Sequence, residues 1–400
     1  MSEQIQVNPE FVVGSESFEH LSKRLRYNDR IADYYEFLAD ENIVPISENC
    51  SRPDERLENK ARRLRGCAQL WTVDWHQFLN LKELVDAGLC RDRFCVNCQS
   101  ALASAREHKF TPIIEETSKG KKVFHLTLTV RNCSGKKLRH VIDKMYKSFY
   151  YLTRYLSGSV GISGLNFSSF GYVGAVRSVE VTYNKELKTY HPHLHCLMTL
   201  SDKVKLNKNR RNVFSYSREH SDVKFYSEEE VFIQKIWYLL NNSIKVTQEA
   251  IDFLDRGYSA VLNEVQPEDY KEVFKYPFKG DLNVEKCLDY EQFKVYQSAF
   301  KNLRFVEGYG AFRKHEFENV GLTSEDLEIG FKVWKRELEK MDPAIRLYES
   351  VKEVEKNISE GNGAYFTSGS YKKHVLSKFT EERLTEESKD VLSEFNKKFK

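Results

Sequence analysis

Proline and cysteine are scarce, with 8 of each in 400 residues, and glycine contributes only 19. So little proline and glycine excludes collagen-like chains and proline-rich disordered ones. Eight cysteines over this length are too few for a disulfide scaffold, so clustered thiols read as metal ligands in a reducing compartment. No apolar run approaches the roughly 18 residues of a membrane span. The opening MSEQIQVNPEFVVG carries acids and polar residues where a secretory leader needs a basic start and an apolar stretch. The expectation is a cytoplasmic protein with no membrane partner. An excess of one charge is missing as well: Lys+Arg 62 against Asp+Glu 59 leaves +3, a sum that names no partner. With 40% hydrophobic residues, the chain has room for two or three cores of ordinary domain size.

Read by segment, the charge is not even. Residues 111–150 hold nine bases to three acids and 201–224 hold seven to three, whereas 321–360 hold ten acids to seven bases. There is no internal repeat, and the one low-complexity break is Gly/Ser-rich, at 361–370. Apolar positions recur at helical spacing over 17–40, again from Leu138 to Leu156, and over 228–241; a further helix is predicted near 267–279. FHLTLTV (124–130) alternates as a strand, with Thr127 and Thr129 on one face. GYVGAVRSVEVTYN (171–184) and HPHLHCLMTL (191–200) are strand-like runs joined by a short polar loop, a hairpin pattern. Strand, helix, hairpin and helix within about 150 residues predict an α+β fold, an antiparallel sheet with flanking helices. From about residue 316 the pattern is mainly helical with loops.

His191, His193 and His195 alternate with Pro192 and Leu194, so a period-2 strand sends all three to one face, where imidazoles can converge on an ion. The alternative is a surface strand that happens to be His-rich. If the hairpin pairs, Glu180 and Thr182 are expected opposite His195 and His193. Two imidazoles and a carboxylate make a metal site with open positions; an exposed Glu180 paired with a Lys or Arg is the plainer reading. The Cys90-x4-Cys95-x2-Cys98 run has the spacing of one knuckle of a structural zinc site, against buried reduced cysteines acting as small hydrophobes.

In YKEVFKYPFK (270–279), Glu272 and Tyr276 are four apart and share a helix face, with Pro277 placing Tyr276 at a helix end or kink. Among 22 tyrosines, spacing alone does not single this one out. FHLTLTV, HPHLHCLMTL and EVFKYPFK, taken in order, resemble the three motifs of plasmid rolling-circle replication initiators of the HUH endonuclease superfamily. SVEVTYN (178–184), the Trp237 helix, LRFVEGYGAFRK (303–314), and GCAQLW followed by CRDRFCVNCQS extend the resemblance over about residues 60–315.

Four regions are expected: a zinc-binding region 60–110 and an HUH nicking and joining domain 111–315, which the resemblance implies, flanked by an N-terminal helical segment 1–59 and a helical C-terminal region 316–400, which the sequence pattern gives and the resemblance does not reach. It implies His193, His195 and Glu180 as ligands of a catalytic Mg²⁺ or Mn²⁺, with His191 either a further ligand or a residue that orients the loop. Tyr276 matches the nucleophile that nicks one origin strand through a 5′-phosphotyrosine and leaves a 3′-OH primer. Glu272 matches the residue that completes the cycle. Lys275 and Lys279 are candidate phosphate contacts, equally well explained as solvated lysines. Cys67 is the expected fourth zinc ligand, with His76 and His108 as substitutes. The implied partners are plasmid origin DNA, single-stranded or hairpin, and a host helicase and polymerase. Competing readings are another HUH transesterase such as a transposase or relaxase, a non-catalytic zinc-bearing DNA-binding regulator, and a zinc hydrolase of small substrates.

Overall fold

The computed structural model describes residues 15–47, 50–68, 70–76, 81–207, 209–215, 223–274, 288–331 and 370–376. In chain order the elements are α1 (Ser15–Glu41), β1 (Val44–Ser47), β2 (Cys50–Arg52), α2 (Glu55–Arg65), β3 (Leu70–His76), β4 (Leu81–Asp86), α3 (Val96–Thr117), β5 (Lys121–Thr129), α4 (Gly135–Leu156), β6 (Gly174–Asn184), β7 (Thr189–Ser201), β8 (Asn209–Ser215), β9 (Val223–Tyr226), α5 (Glu228–Asn241), α6 (Gln248–Phe253), β10 (Ala260–Glu264), α7 (Lys271–Phe274), α8 (Tyr290–Ala299), β11 (Val306–Gly310), α9 (Ser324–Phe331) and β12 (Ser370–Leu376). The described residues fall into two units, one drawn from 1–105, 280–288 and 321–400, the other from 106–279 and 289–320. The class is the expected α+β.

The second unit is built on a five-stranded sheet of order β10-β5-β7-β6-β11, every neighbouring pair antiparallel. Because strand side chains alternate, β5, β7 and β6 each present one apolar face. Phe124, Leu126 and Leu128 line up with Met198, Cys196 and Leu194, and then with Ala175, Arg177 and Val179; all are buried. Helix α4 covers this face with the stripe Leu138, Ile142, Met145, Phe149, Leu152 and Leu156. Helix α5 starts at a capping box between Ser227 and Glu230. The buried Glu230 carboxylate also accepts from Leu262 N–H of β10 at 2.8 Å, and Trp237 Nε1–H donates to Thr129 O at 2.7 Å. These bonds pin α5 to the β10–β5 edge.

Pro192 lies in the central strand, where a missing N–H would normally break a ladder. Tyr190 N–H points at Cys133 O, 2.8 Å away, so the nitrogen of Pro192, two residues on, faces the same side. On that side the β5 ladder ends at Thr129↔His193, and no ladder bond is lost.

In the first unit, α2 is capped by Asp54, whose side chain accepts from Arg56 N–H at 2.9 Å. Acids fill its first turn and Arg62, Arg63 and Arg65 its last, the order the helix dipole favours. It buries Leu57, Ala61 and Leu64, and Arg65 bonds to Asp33 of α1 at 2.6 Å.

Three expectations change. The helix predicted near 267–279 is, among its described residues, a 3₁₀ turn at Pro267–Asp269 followed by the four-residue α7. Pro267 occupies the first position of that turn, where its missing N–H costs nothing. The C-terminal region, expected to be mainly helical, contributes α9 and also strand β12, which pairs with β3 in a sheet of order β12-β3-β4. Its partner strand is about three hundred residues away, so no local pattern announces the pairing. The β6–β7 register also differs from the expectation, with consequences for the site.

Candidate metal centres and catalytic site

The β6–β7 hairpin closes with Asn184 opposite Thr189, which sets Ser178 opposite His195, Glu180 opposite His193 and Thr182 opposite His191. The sequence reading started the second strand two residues late and therefore paired Glu180 with His195 and Thr182 with His193. A two-residue shift preserves facing, because side chains alternate with period 2, so the face assignment survives the change of partner. On this polar face Glu180 Oε2 lies 2.8 Å from His195 Nε2 and 3.3 Å from His193 Nε2. One donor atom from each of the three residues falls within 4.8 Å of the others.

That donor set fits a divalent ion. Ligands at about 2.1 Å in an octahedral shell stand about 3 Å apart when adjacent, the separation that both Nε2···Oε2 distances bracket. His193 Nδ1 is buried with no hydrogen-bond partner among the described residues. Burial raises the pKa of the Glu180 carboxyl, but hydrogen bonds and charge from His193 and His195 outweigh it and hold the group well below the usual carboxylate range. Glu180 is thus an anion ready for a cation. His191 stands on the same face, its ring 5.5 Å from that of His193, but outside the three-residue cluster.

His125, a residue the sequence reading passed over, supports the cluster. It lies on β5 on the same face as Thr127, which pairs with His195, and its Nε2 is 3.1 Å from His195 Nδ1. The two rings stack with centroids 5.2 Å apart and planes 10° from parallel. His195 is therefore held at both nitrogens, by Glu180 at Nε2 and by His125 at Nδ1. A bond to the second ring nitrogen settles which nitrogen carries the proton and which offers a lone pair. The signal was present in FHLTLTV, where the histidine shares the parity of the two threonines.

Burial, followed by the neighbouring His195, lowers the His125 pKa to about 4, against the raising influence of Glu272 and Asp269. Both acids thus stand close enough for their charge to reach the histidine face. Glu272 is exposed on α7, which packs against β6 and β7 and anchors itself through buried Val273 and Phe274. Tyr276, Lys275 and Lys279 lie outside the described residues.

The second centre is the cysteine cluster. Cys67 completes the set with Cys90, Cys95 and Cys98, all four buried; His108 is not in the cluster, and the side chain of His76 lies outside the described residues. The Sγ–Sγ separations are 3.3 Å for Cys95–Cys67 and 3.6 Å for both Cys67–Cys98 and Cys90–Cys98. A disulfide needs about 2.05 Å, whereas four thiolates at about 2.3 Å from a tetrahedral ion stand about 3.8 Å apart. Backbone N–H groups point at the sulfurs: Arg91 at Cys98 (3.1 Å), Asp92 at Cys90 (3.4 Å) and Cys90 at Cys67 (3.5 Å). Burial pushes the Cys95 thiol well above its ordinary value, and the neighbouring thiols push it further, so a cation is required to hold the group as thiolate.

Helix α1 locks this knuckle, a role that local spacing does not reveal. Asn28 Nδ2–H donates to Cys95 Sγ (3.4 Å) while its Oδ1 accepts from Val96 N–H (3.1 Å). Tyr35 OH donates to the buried Asp92 carboxylate at 3.0 Å, and Lys60 of α2 stands 3.9 Å from the same group.

Three outcomes follow. Elemental analysis of purified protein is expected to find one thiolate-bound metal per chain, lost in Cys95→Ser. In calorimetric titration with Mn²⁺, His125→Phe, which keeps a stacked ring but no nitrogen, is expected to weaken binding about 10- to 100-fold. His125→Gln, with an amide near the Nε2 position, is expected to restore most of it. A histidine whose folded pKa is depressed binds its proton more readily when unfolded. Wild-type stability should therefore be complete above pH 6.5 and fall as pH drops toward 4, and acid denaturation curves of His125→Gln should be flatter across that window.

Comparison with known proteins bears on residues that include the histidine strand. Residues 81–209 match the family model described as "Replication protein". The chain is similar to a protein named Protein rep from Streptococcus pneumoniae serotype 2, 34% identical over 119 residues covering 29% of this chain and 34% of the relative. It is 33% identical to Protein rep from Bacillus amyloliquefaciens over 143 residues, 35% of this chain and 39% of the relative. Protein rep from Staphylococcus aureus is 29% identical over 150 residues, 36% of this chain and 59% of the relative. The chain thus spans between about a third and two fifths of the length of the first two relatives. No solved structure matches it. Residues 81–209, which carry Glu180, His193 and His195, are thus the part of the chain that is similar to replication proteins.

Proposed function

We propose that this protein initiates rolling-circle replication of a plasmid by nicking and rejoining one DNA strand at the origin. The observation that carries the reading is the convergence of Glu180, His193 and His195 on one sheet face with Glu272 of α7 close by. A DNA-binding regulator has no use for a buried carboxylate held between two imidazoles, and a small-substrate hydrolase leaves the basic segments 111–150 and 201–224 without a role.

Glu180, His193 and His195 would hold Mg²⁺ or Mn²⁺, which when bound offsets the charge of a phosphodiester and of a departing 3′-oxygen. His125 keeps His195 oriented with its Nε2 toward the ligand position. Tyr276, assigned from the sequence motif, attacks phosphorus through its phenol oxygen. The O–P bond to tyrosine forms, the P–O3′ bond breaks, the phenol proton passes to solvent or a neighbouring base, and the 3′-oxygen takes up a proton as the free primer. A phenol with a pKa near 10 is a poor nucleophile at neutral pH, so its proton must be removed as the bond forms. After a round of synthesis, Glu272 accepts the proton of the incoming water or 3′-hydroxyl that attacks the phosphotyrosine and releases the tyrosine. Cys67, Cys90, Cys95 and Cys98 hold Zn²⁺ in a structural role, with α1 clamped over the knuckle. DNA is the partner, and a host helicase and polymerase would extend the primer.

Incubating a single-stranded origin oligonucleotide with the protein and Mn²⁺ should yield a covalent adduct on denaturing gels. Tyr276→Phe is expected to abolish it with origin binding largely retained; an adduct at full yield in that variant would remove Tyr276 from the mechanism. Glu272→Ala should still form the adduct and release product at least 10-fold more slowly, read from single-turnover time courses; unchanged release would exclude Glu272.

A further inference from the structure

The two faces of the five-stranded sheet carry different chemistry. Arg177 of β6 is odd in the alternation that makes Glu180 even, so the two point to opposite faces. Glu307 and Tyr309 of β11 pair with Arg177 and Ala175 and share the α4 face. There, beside the edge strand, lies a cavity of about 760 Å³ between α4, β11 and the segment following it, a size usual for small-molecule sites.

The wall of this cavity, which includes Tyr146, Glu307 and Tyr309, is fixed from behind by Arg177. Arg177 is 1% exposed. Its guanidinium bonds to Glu307 at 2.6 Å and Tyr309 OH at 3.2 Å, and stacks 3.3 Å above the Tyr146 ring. With its charge taken up by Glu307 and its plane by Tyr146, Arg177 sets the tyrosines of the wall in place. The rim is the reverse. Tyr150 is 42% exposed, with the Arg154 guanidinium 5.6 Å from its ring centroid. Arg154 and Arg313 both line the cavity, and neither has an ion-pair partner among the described residues. Arg304 is the rim arginine with a carboxylate near, Glu316 at 4.0 Å. Flat aromatic surface, tyrosine hydroxyls and two guanidinium groups without an ion-pair partner among the described residues suit a ligand that joins a planar ring to an anion.

We propose that this cavity holds an unpaired nucleotide of single-stranded DNA, its base against Tyr150 and its phosphate between Arg154 and Arg313. This rests on the reading that the protein handles a DNA strand, and it places a second grip on the face opposite the metal centre. A strand leaving the histidine face would pass the β11 edge, beyond which no strand pairs among the described residues, to reach it. A duplex cannot enter, because its bases are stacked and paired.

The test is binding of a fluorescent oligothymidylate by the full chain in buffer without Mg²⁺ or Mn²⁺. A chain that binds here but never cleaves would keep this inference and lose the catalytic one. Tyr150→Ala is expected to weaken binding about 10-fold, with Tyr150→Phe close to wild type and duplex of the same length unaffected. Arg154→Ala combined with Arg313→Ala should reduce the slope of log affinity against log salt by about 0.7, the value for one single-strand phosphate. A strand carrying 5-iodouracil should photocrosslink to Tyr150 in the wild-type chain. The proposal is overturned if Tyr150→Ala stays within twofold of wild type, if duplex binding falls as much as single-strand binding, or if crosslinks map only elsewhere.

Discussion

The alternation of side chains along an antiparallel strand is the constraint on which the unit that carries the histidines depends. β7 sits between β5 and β6, so each of its residues is committed to one of two faces by parity alone. Leu194, Cys196, Met198 and Leu200 close onto the α4 side and are buried there, leaving His191, His193 and His195 no choice but the other. A slip by one residue would bury the histidines under α4 and expose the apolar set. Burying that many apolar groups is favourable by about 1.5–3 kcal/mol per large side chain, so packing on one face secures the chemistry of the other.

Charge inside the molecule follows one rule: a buried ionised group is tolerated only with a partner. Glu180 is met by two imidazoles, Arg177 by Glu307 and two tyrosines, and Asp92 by Tyr35, Phe94 N–H and Lys60. The cysteine cluster is the case in which protein partners alone do not suffice. Four buried thiols can be ionised together only around a cation, so a metal held there would make its binding and the folding of this region a single equilibrium. Asn28 and Tyr35 tie α1 to that same knuckle, so the helix has its packing and its polar partners in one place.

Much of the site could be read in one dimension because its spacing is local. Cys90, Cys95 and Cys98 fall within nine residues, and the histidines alternate within five. The hairpin that delivers Glu180 is closed by a four-residue loop, so its error was a shift of two that left the face unchanged. His125 was missed because its partner is 70 residues away and its own neighbours, threonines and leucines, make an ordinary strand. Strand β12 was missed for the same reason on a longer scale.

The sequence by itself determined which residues are donors and which face each can use, since both follow from side-chain chemistry and from periods of 2 and 3.6 that operate between neighbours. It also determined the kinship to replication proteins, carried by motifs in order. Tertiary structure alone decided the exact pairing of Glu180 with His193, the second hold on His195 by His125, the clamp of α1 on the cysteine knuckle, and the cavity on the far face of the sheet. Each of these joins residues distant along the chain. Such contacts depend on how the strands and helices pack in three dimensions, which no local pattern encodes.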